Sequence, residues 1–333
     1  ARLLSSSGQW SALTEATFTV TAEAANVSNL VISKIHYHPL EPNEEEIAAG
    51  HDQESDFEYI ELFNISKKTV SLSGLNFTDG IEFHFDPSIV SEIESGGRAV
   101  LVSDIAAFKL RYGDEIKILG EFNAGKLNND GEALSLNAPD GSEIWSFQYN
   151  DSGAWPDSPD GGGTALVLID PEDPKENQAL SFPENWRPSS GNEGLPGRDD
   201  RVSFAVWLSN QPNPDPDADP DGDGLNQLLA FSIGLSEKLD PSAFLPNVSL
   251  ESLHVGETEE IYSVISIRQR TGIADVKFEV ESSTDLLNWS PANGVLILTE
   301  DLKNLTMLRT YRDSEPYKDN VNRFFRVRVS SSL

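Results

Sequence analysis

The stretches LVISKIHYH (residues 30–38) and FEYIELFNI (residues 57–65) decide the fold. Each is a short run of β-branched and aromatic residues interleaved with polar ones, the way a strand of a packed sheet reads. The pattern recurs in RAVLVSD (98–104) and EALSLN (132–137). In NAPDGSEIWSFQYN (137–150) a Pro-Asp-Gly turn separates two alternating runs, a hairpin signature that puts Trp145, Phe147 and Tyr149 on one face. Long helical periodicity is nearly missing. One short helix is expected over IAAFKLRY (105–112), because Ser103-Asp104 supplies an N-cap. The chain reads as all-β.

Past Ile169 the alternation dissolves into DPEDPKENQALSFPENWRPSSGNEGLPGRDD (170–200), rich in Pro, Gly and charge, which reads as an extended closing loop. RVSFAVWLSNQ (201–211) is weakly helical. In LNQLLAFSIG (225–234) Leu225, Leu228, Leu229 and Ile233 recur at helical spacing and Gly234 is a natural stop. From about Pro246 alternation returns in IYSVISI (261–267), VKFEVES (276–282), VLILTE (295–300), MLRTY (307–311) and RFFRVRV (323–329). These predict a second small sandwich, with Phe325, Val327 and Val329 on one side of the last strand and Arg326 and Arg328 on the other.

Composition narrows the function classes. The 333 residues hold 24 Lys plus Arg against 55 Asp plus Glu, a net charge of −31. Nucleic acid and anionic membranes reward positive charge, so neither is an expected partner. Cysteine is absent and no apolar run reaches 18 residues, so neither disulfides nor a membrane span is expected. Residues 1–25 begin with Ala and lack the layout of a signal peptide. They read as the end of a preceding β domain or a leading strand, with a targeting signal expected upstream.

Between the two short helices lies DPDADPDGDG (215–224), with an Asp at every second position over its first nine residues. Calcium takes six to eight hard oxygens, which such a segment offers by wrapping the ion. Counted as an EF-type loop from Asp219, Asp221 falls third, Asp223 fifth, Gly224 at the sharp turn and Leu225 where a backbone carbonyl binds. Position twelve, normally a bidentate acid, is Ala230, so Asp215, Asp217, Asn226 or Asp240 is expected to complete the set, with weak affinity. The segment resembles thrombospondin type 3 and dockerin-like calcium repeats.

Other constellations carry less. GEFNAGKL (120–127) fits the start of a phosphate loop but has Leu127 where Ser or Thr would hold magnesium. His36 and His38 are two apart on a strand, with Glu58 and Glu61 as the carboxylates that a shared metal would need. No G-x-S-x-G occurs. Trp155 and Trp186, near turns and loops, are candidates for stacking on sugar rings.

Residues 28–170 carry a broader resemblance. The pieces ISKIHYHP (32–39), FEYIELFN (57–64), VSLSGLNFTDG (70–80), GGRAVLVSD (96–104) and GKLNNDGEALSLNAPDGSEIWSF (125–147) are similar, in order, to the lamin tail domain of bacterial surface and exported proteins. The resemblance implies an immunoglobulin-like β-sandwich that serves as a scaffold or partner-binding module, with no catalytic residues. The acidic insert Glu41 to Glu54 lengthens its first connection. The C-terminal piece, with EVESSTDLLNWSPANG and RFFRVRVSSS, looks like β domains at the ends of large exported bacterial proteins.

The resulting expectation is a lamin-tail-like sandwich over 26–200, a helix–calcium loop–helix connector over 201–244 and a C-terminal sandwich over 245–333. The function expected is structural or partner-binding, in a secreted or surface-bound bacterial protein, with protein or polysaccharide as partner. The alternative is a carbohydrate-binding module that delivers an upstream enzyme.

Overall fold

The computed structural model describes residues 5–11, 22–153, 155–172, 180–235, 241–256, 258–292, 294–302, 305–318 and 322–332. The two deciding stretches become neighbouring antiparallel strands, Leu30–His36 and Tyr59–Asn64, with Ile35 opposite Ile60. Arg98–Val102 pairs with the second of them, and the sheet runs Trp186–Pro188, Leu166–Leu168, Leu30–His36, Tyr59–Asn64, Arg98–Val102, Ile118–Glu121. A five-stranded sheet faces it, in the order Ala124–Gly125, Ile81–His84, Asn76–Asp79, Ala133–Asn137, Glu143–Gln148. The core lies between them. Trp145, Phe147 and Tyr149 are all buried there, and Trp145 Nε1 donates to Leu30 O of the opposite sheet at 2.7 Å. This is the immunoglobulin-like sandwich that the sequence predicts.

Leu30–His36 is buried on both faces, which simple alternation does not foretell. Part of its outer cover is Tyr112 of the helix α2 (Ile105–Tyr112), whose ring lies against His36, and α2 in turn packs on the helix α1 (Glu44–Ala49). Asp104 caps α2, accepting from Ala106 N and Ala107 N at 2.7 and 2.9 Å, and Phe108 packs on Tyr59, Val100 and Val102. α1 forms inside the acidic insert, where Asn43 and Glu46 make a reciprocal capping box. Glu46 also accepts from Arg111 Nε and Nη2 at 2.8 and 2.7 Å, so the insert is fastened to α2.

The expected closing loop is partly a strand. Trp186–Pro188 pairs antiparallel with Leu166–Leu168 and forms the edge of the six-stranded sheet. Three residues that include a proline show no alternation, so only long-range pairing reveals the strand. Buried ions hold the segment from this strand to Asp200. Arg187 and Asp200, both fully or nearly buried, pair at 2.5 Å. Lys34 Nζ donates to Leu195 O, Arg198 O and Glu61 Oε2 at 2.6, 2.7 and 3.3 Å. Glu61 also accepts from Ser33 Oγ, Arg98 Nη1 and Gly197 N. Each buried charge finds partners, the condition for tolerating it away from water.

The C-terminal module has two sheets. One runs Asn247–Val255, Thr258–Arg270, Thr306–Arg312, Val295–Asp301, and the other Ser290–Pro291, Val276–Ser283, Phe324–Ser331. Arg326 and Arg328 are exposed while Phe325, Val327 and Val329 are half-buried, as the alternation predicts. The segment between the sandwiches forms two short helices, α3 (Phe204–Ser209) and α4 (Gln227–Ser232). They do not hang free. Phe204, Leu208 and Phe231 form a buried cluster against Ile273 and Val276, and Val202 N donates to Gly272 O at 2.6 Å.

Candidate metal centre

The Asp run sits between α3 and α4. Asp219, Asp221 and Asp223 each bring a carboxylate oxygen to within 4.8 Å of the others, the one such grouping among the described residues. The loop closes around Asp219. Its Oδ1 accepts from Gly222 N at 2.9 Å and Asp223 N at 3.2 Å, and its Oδ2 accepts from Gly224 N at 2.9 Å. Gly224, with φ +92°, takes the turn in a left-handed conformation that an L side chain rarely adopts. The Gly224 N–H, followed by those of Gly222 and Asp223, holds the Asp219 carboxyl below its ordinary range, so it stays ionised. Three like charges so close repel one another, and a hard divalent cation offsets that repulsion.

The other expected ligands are differently placed. Asp215 Oδ1 accepts from Asp217 N at 3.0 Å, and Asp217 Oδ1 from Asn226 Nδ2 at 3.3 Å. Asn226 Oδ1 caps α4 by accepting from Leu229 N at 3.0 Å, which commits it to the helix. Leu225 N donates to Asp223 Oδ1 at 2.8 Å, immobilising that carboxylate. Asp240 lies outside the described residues. Of the expected carboxylate ligands, the structure gathers Asp219, Asp221 and Asp223 among the described residues, and Ala230 lies inside α4.

Two residues that shape the loop escape a reading of the sequence. Gln227, buried in the first turn of α4, donates through Nε2 to Asn213 O and Asp215 O at 2.6 and 2.8 Å. It ties the start of the loop to its end, but a glutamine after a cap residue carries no signal of that role. Asp275, from the C-terminal module, accepts from Phe204 N, Ala205 N and Ser203 Oγ at 2.6, 2.9 and 2.7 Å and so caps α3 across a long sequence separation. Asp275→Ala should cost about 1–2 kcal/mol, read from the urea midpoint, as loss of a helix cap does.

The remaining candidates are corrected or explained. Trp155 is 8% exposed and Trp186 0%. Their rings lie 6.4 Å apart, Phe147 stacks on Trp186, and Trp186 Nε1 donates to Leu180 O. Both serve the core, so neither presents an open ring face to a sugar. His36 is enclosed by Tyr59 and Tyr112, whereas His38 pairs with Asp160 at 2.6 Å. Glu58 and Glu61 are engaged elsewhere, so no shared metal site forms there. In the phosphate-loop look-alike, Lys126 bonds Ser55 and Leu127 N donates to Glu58, a structural turn.

Among the described residues no helix is long and apolar enough to cross a membrane. No curated protein and no solved structure matches the chain. Residues 23–151, which hold most of the first sandwich, match the family model of the Lamin Tail Domain, an immunoglobulin-like structural fold.

Proposed function

We propose that this chain is a non-catalytic structural and partner-binding region of a bacterial exported multidomain protein, and that it binds calcium at Asp219, Asp221 and Asp223. The convergence of those three carboxylates on one loop carries the reading. The domain match over 23–151 supports the scaffold role, and the absence of cysteine with a net charge of −31 suits an acidic surface protein without disulfides. Calcium neutralises the loop and thereby tightens α3 and α4, which are already packed on the C-terminal module. Its effect is to stiffen that flank. The carbohydrate reading loses its two tryptophans to the core and has no comparable support.

Thermal unfolding in EDTA, and in calcium up to about 10 mM with magnesium as control, tests the reading. With three carboxylates and no twelfth-position acid, Kd is about 10⁻⁴–10⁻³ M, the range of extracellular modules. Binding only to the folded state then adds about 1.4–2.7 kcal/mol. The rise should saturate and should vanish when all three Asp become Asn. An equal rise with magnesium would reduce the loop to an acidic linker.

A further inference from the structure

Strand edges expose backbone N–H and C=O groups, and proteins blunt them with bulges, proline, short length or basic side chains. Three edges of the C-terminal sheets use these devices. Val295–Asp301 carries a bulge between Leu296 and Leu298. Ser290–Pro291 is two residues long with a proline, and Phe324–Ser331 presents the exposed Arg326 and Arg328. The fourth edge, Asn247–Val255, has none of them. It is nine residues long, contains no Pro, Lys or Arg, and keeps an unbroken register with its one neighbour from Asn247–Ser266 to Val255–Thr258.

The closing pair Val255–Thr258 of this two-residue hairpin sets the alternation of the ladder. Val248, Leu250, Ser252 and His254 turn their backbone groups away from the sheet. The first two of these carry exposed apolar side chains: Val248 is 51% and Leu250 54% exposed, beside Ile261 of the neighbouring strand at 50%. The exposed carboxylate Glu259, opposite His254, shares their face, the exposed Glu251 and Glu260 line the other face of the same edge, and no Lys or Arg occurs between Pro246 and Ile267.

We propose that Asn247–Val255 is a docking edge for an extended partner segment in which apolar residues alternate with Lys or Arg. The unpaired backbone groups call for a strand, Val248, Leu250 and Ile261 receive its apolar side chains, and the three carboxylates select its charge. A second copy of this chain fits poorly, since it would bring the same carboxylates together on a protein of net charge −31.

The probe is a fluorescent eight-residue peptide of alternating valine and lysine, titrated against the whole chain by anisotropy. Its controls are the same peptide with a central proline and the same peptide with glutamate for lysine. Ser252→Pro removes an outward-facing N–H that the hairpin ladder does not use, together with the Ser252 Oγ bond to Glu259, so it blocks docking while leaving the backbone bonds of the ladder in place. Saturable binding to the wild type is expected, weakened about tenfold or more by Ser252→Pro and by either control peptide. Should Ser252→Pro lower the unfolding midpoint, Leu250→Arg takes its place, with the same loss expected. No saturable binding to the wild type, or equal binding of the proline-interrupted peptide, would overturn the proposal. So would a dimer of the chain that Ser252→Pro dissolves, which would assign the edge to a second copy.

Discussion

Glu61→Gln should destabilise the first sandwich by about 3–5 kcal/mol, the usual cost of removing one partner from a buried ion network. Glu61 is 0% exposed and accepts from Ser33, Lys34, Arg98 and Gly197. The substitution keeps the shape but leaves Lys34, itself 1% exposed, without its carboxylate. It also weakens the hold on Gly197, and so on the segment that runs from Trp186–Pro188 to Asp200. Urea unfolding with tryptophan fluorescence as the signal reads the effect, because Trp145, Trp155 and Trp186 all lie in this sandwich. A loss below about 1 kcal/mol, the scale of exposed ion pairs, would mean that the network is solvated.

The second large effect is a pH dependence centred on Glu58. Burial pushes its carboxyl up to about 8, against the opposing bond from Leu127 N and the nearby Lys126 charge. The folded chain therefore keeps a proton that the unfolded chain releases near its ordinary value of about 4.3. The folded state binds more protons between these values, so stability is fully present below about pH 4 and falls as pH rises toward 8. The loss is on the order of 5 kcal/mol, at about 1.36 kcal/mol for each pH unit between the two values, and less if water reaches the carboxylate. Glu58→Gln carries a neutral group at every pH and should abolish this slope, leaving the variant more stable than the wild type at pH 8. A wild-type profile that is flat or rises between pH 5 and 8, with no effect of the substitution on it, would contradict this account.

Local signals carried the first sandwich well. Alternation located Leu30–His36, Tyr59–Asn64 and the hairpin through Trp145, and one cap residue, Asp104, located α2. The features that stayed hidden depend on distant partners. The strand Trp186–Pro188 exists because Leu166–Leu168 offers it an edge, and the buried outer face of Leu30–His36 exists because the segment after Trp186–Pro188 folds back onto it. The candidate metal loop divides the same way. Asp219, Asp221, Asp223 and Gly224 were legible because their order along the chain is itself the geometry of a tight loop. Asn226, of a residue type that serves both as cap and as metal ligand, caps α4 in the fold. Gln227 and Asp275 had no local signal, since each acts on backbone groups that only the folded chain brings to it.

Calcium titration of the 333-residue chain by isothermal calorimetry, in excess magnesium, tests the central claim most directly. The account predicts one saturable site per chain with Kd of about 10⁻⁴–10⁻³ M, absent when Asp219, Asp221 and Asp223 are replaced together by Asn. Heat that never saturates, or a site that survives the triple replacement, would contradict it.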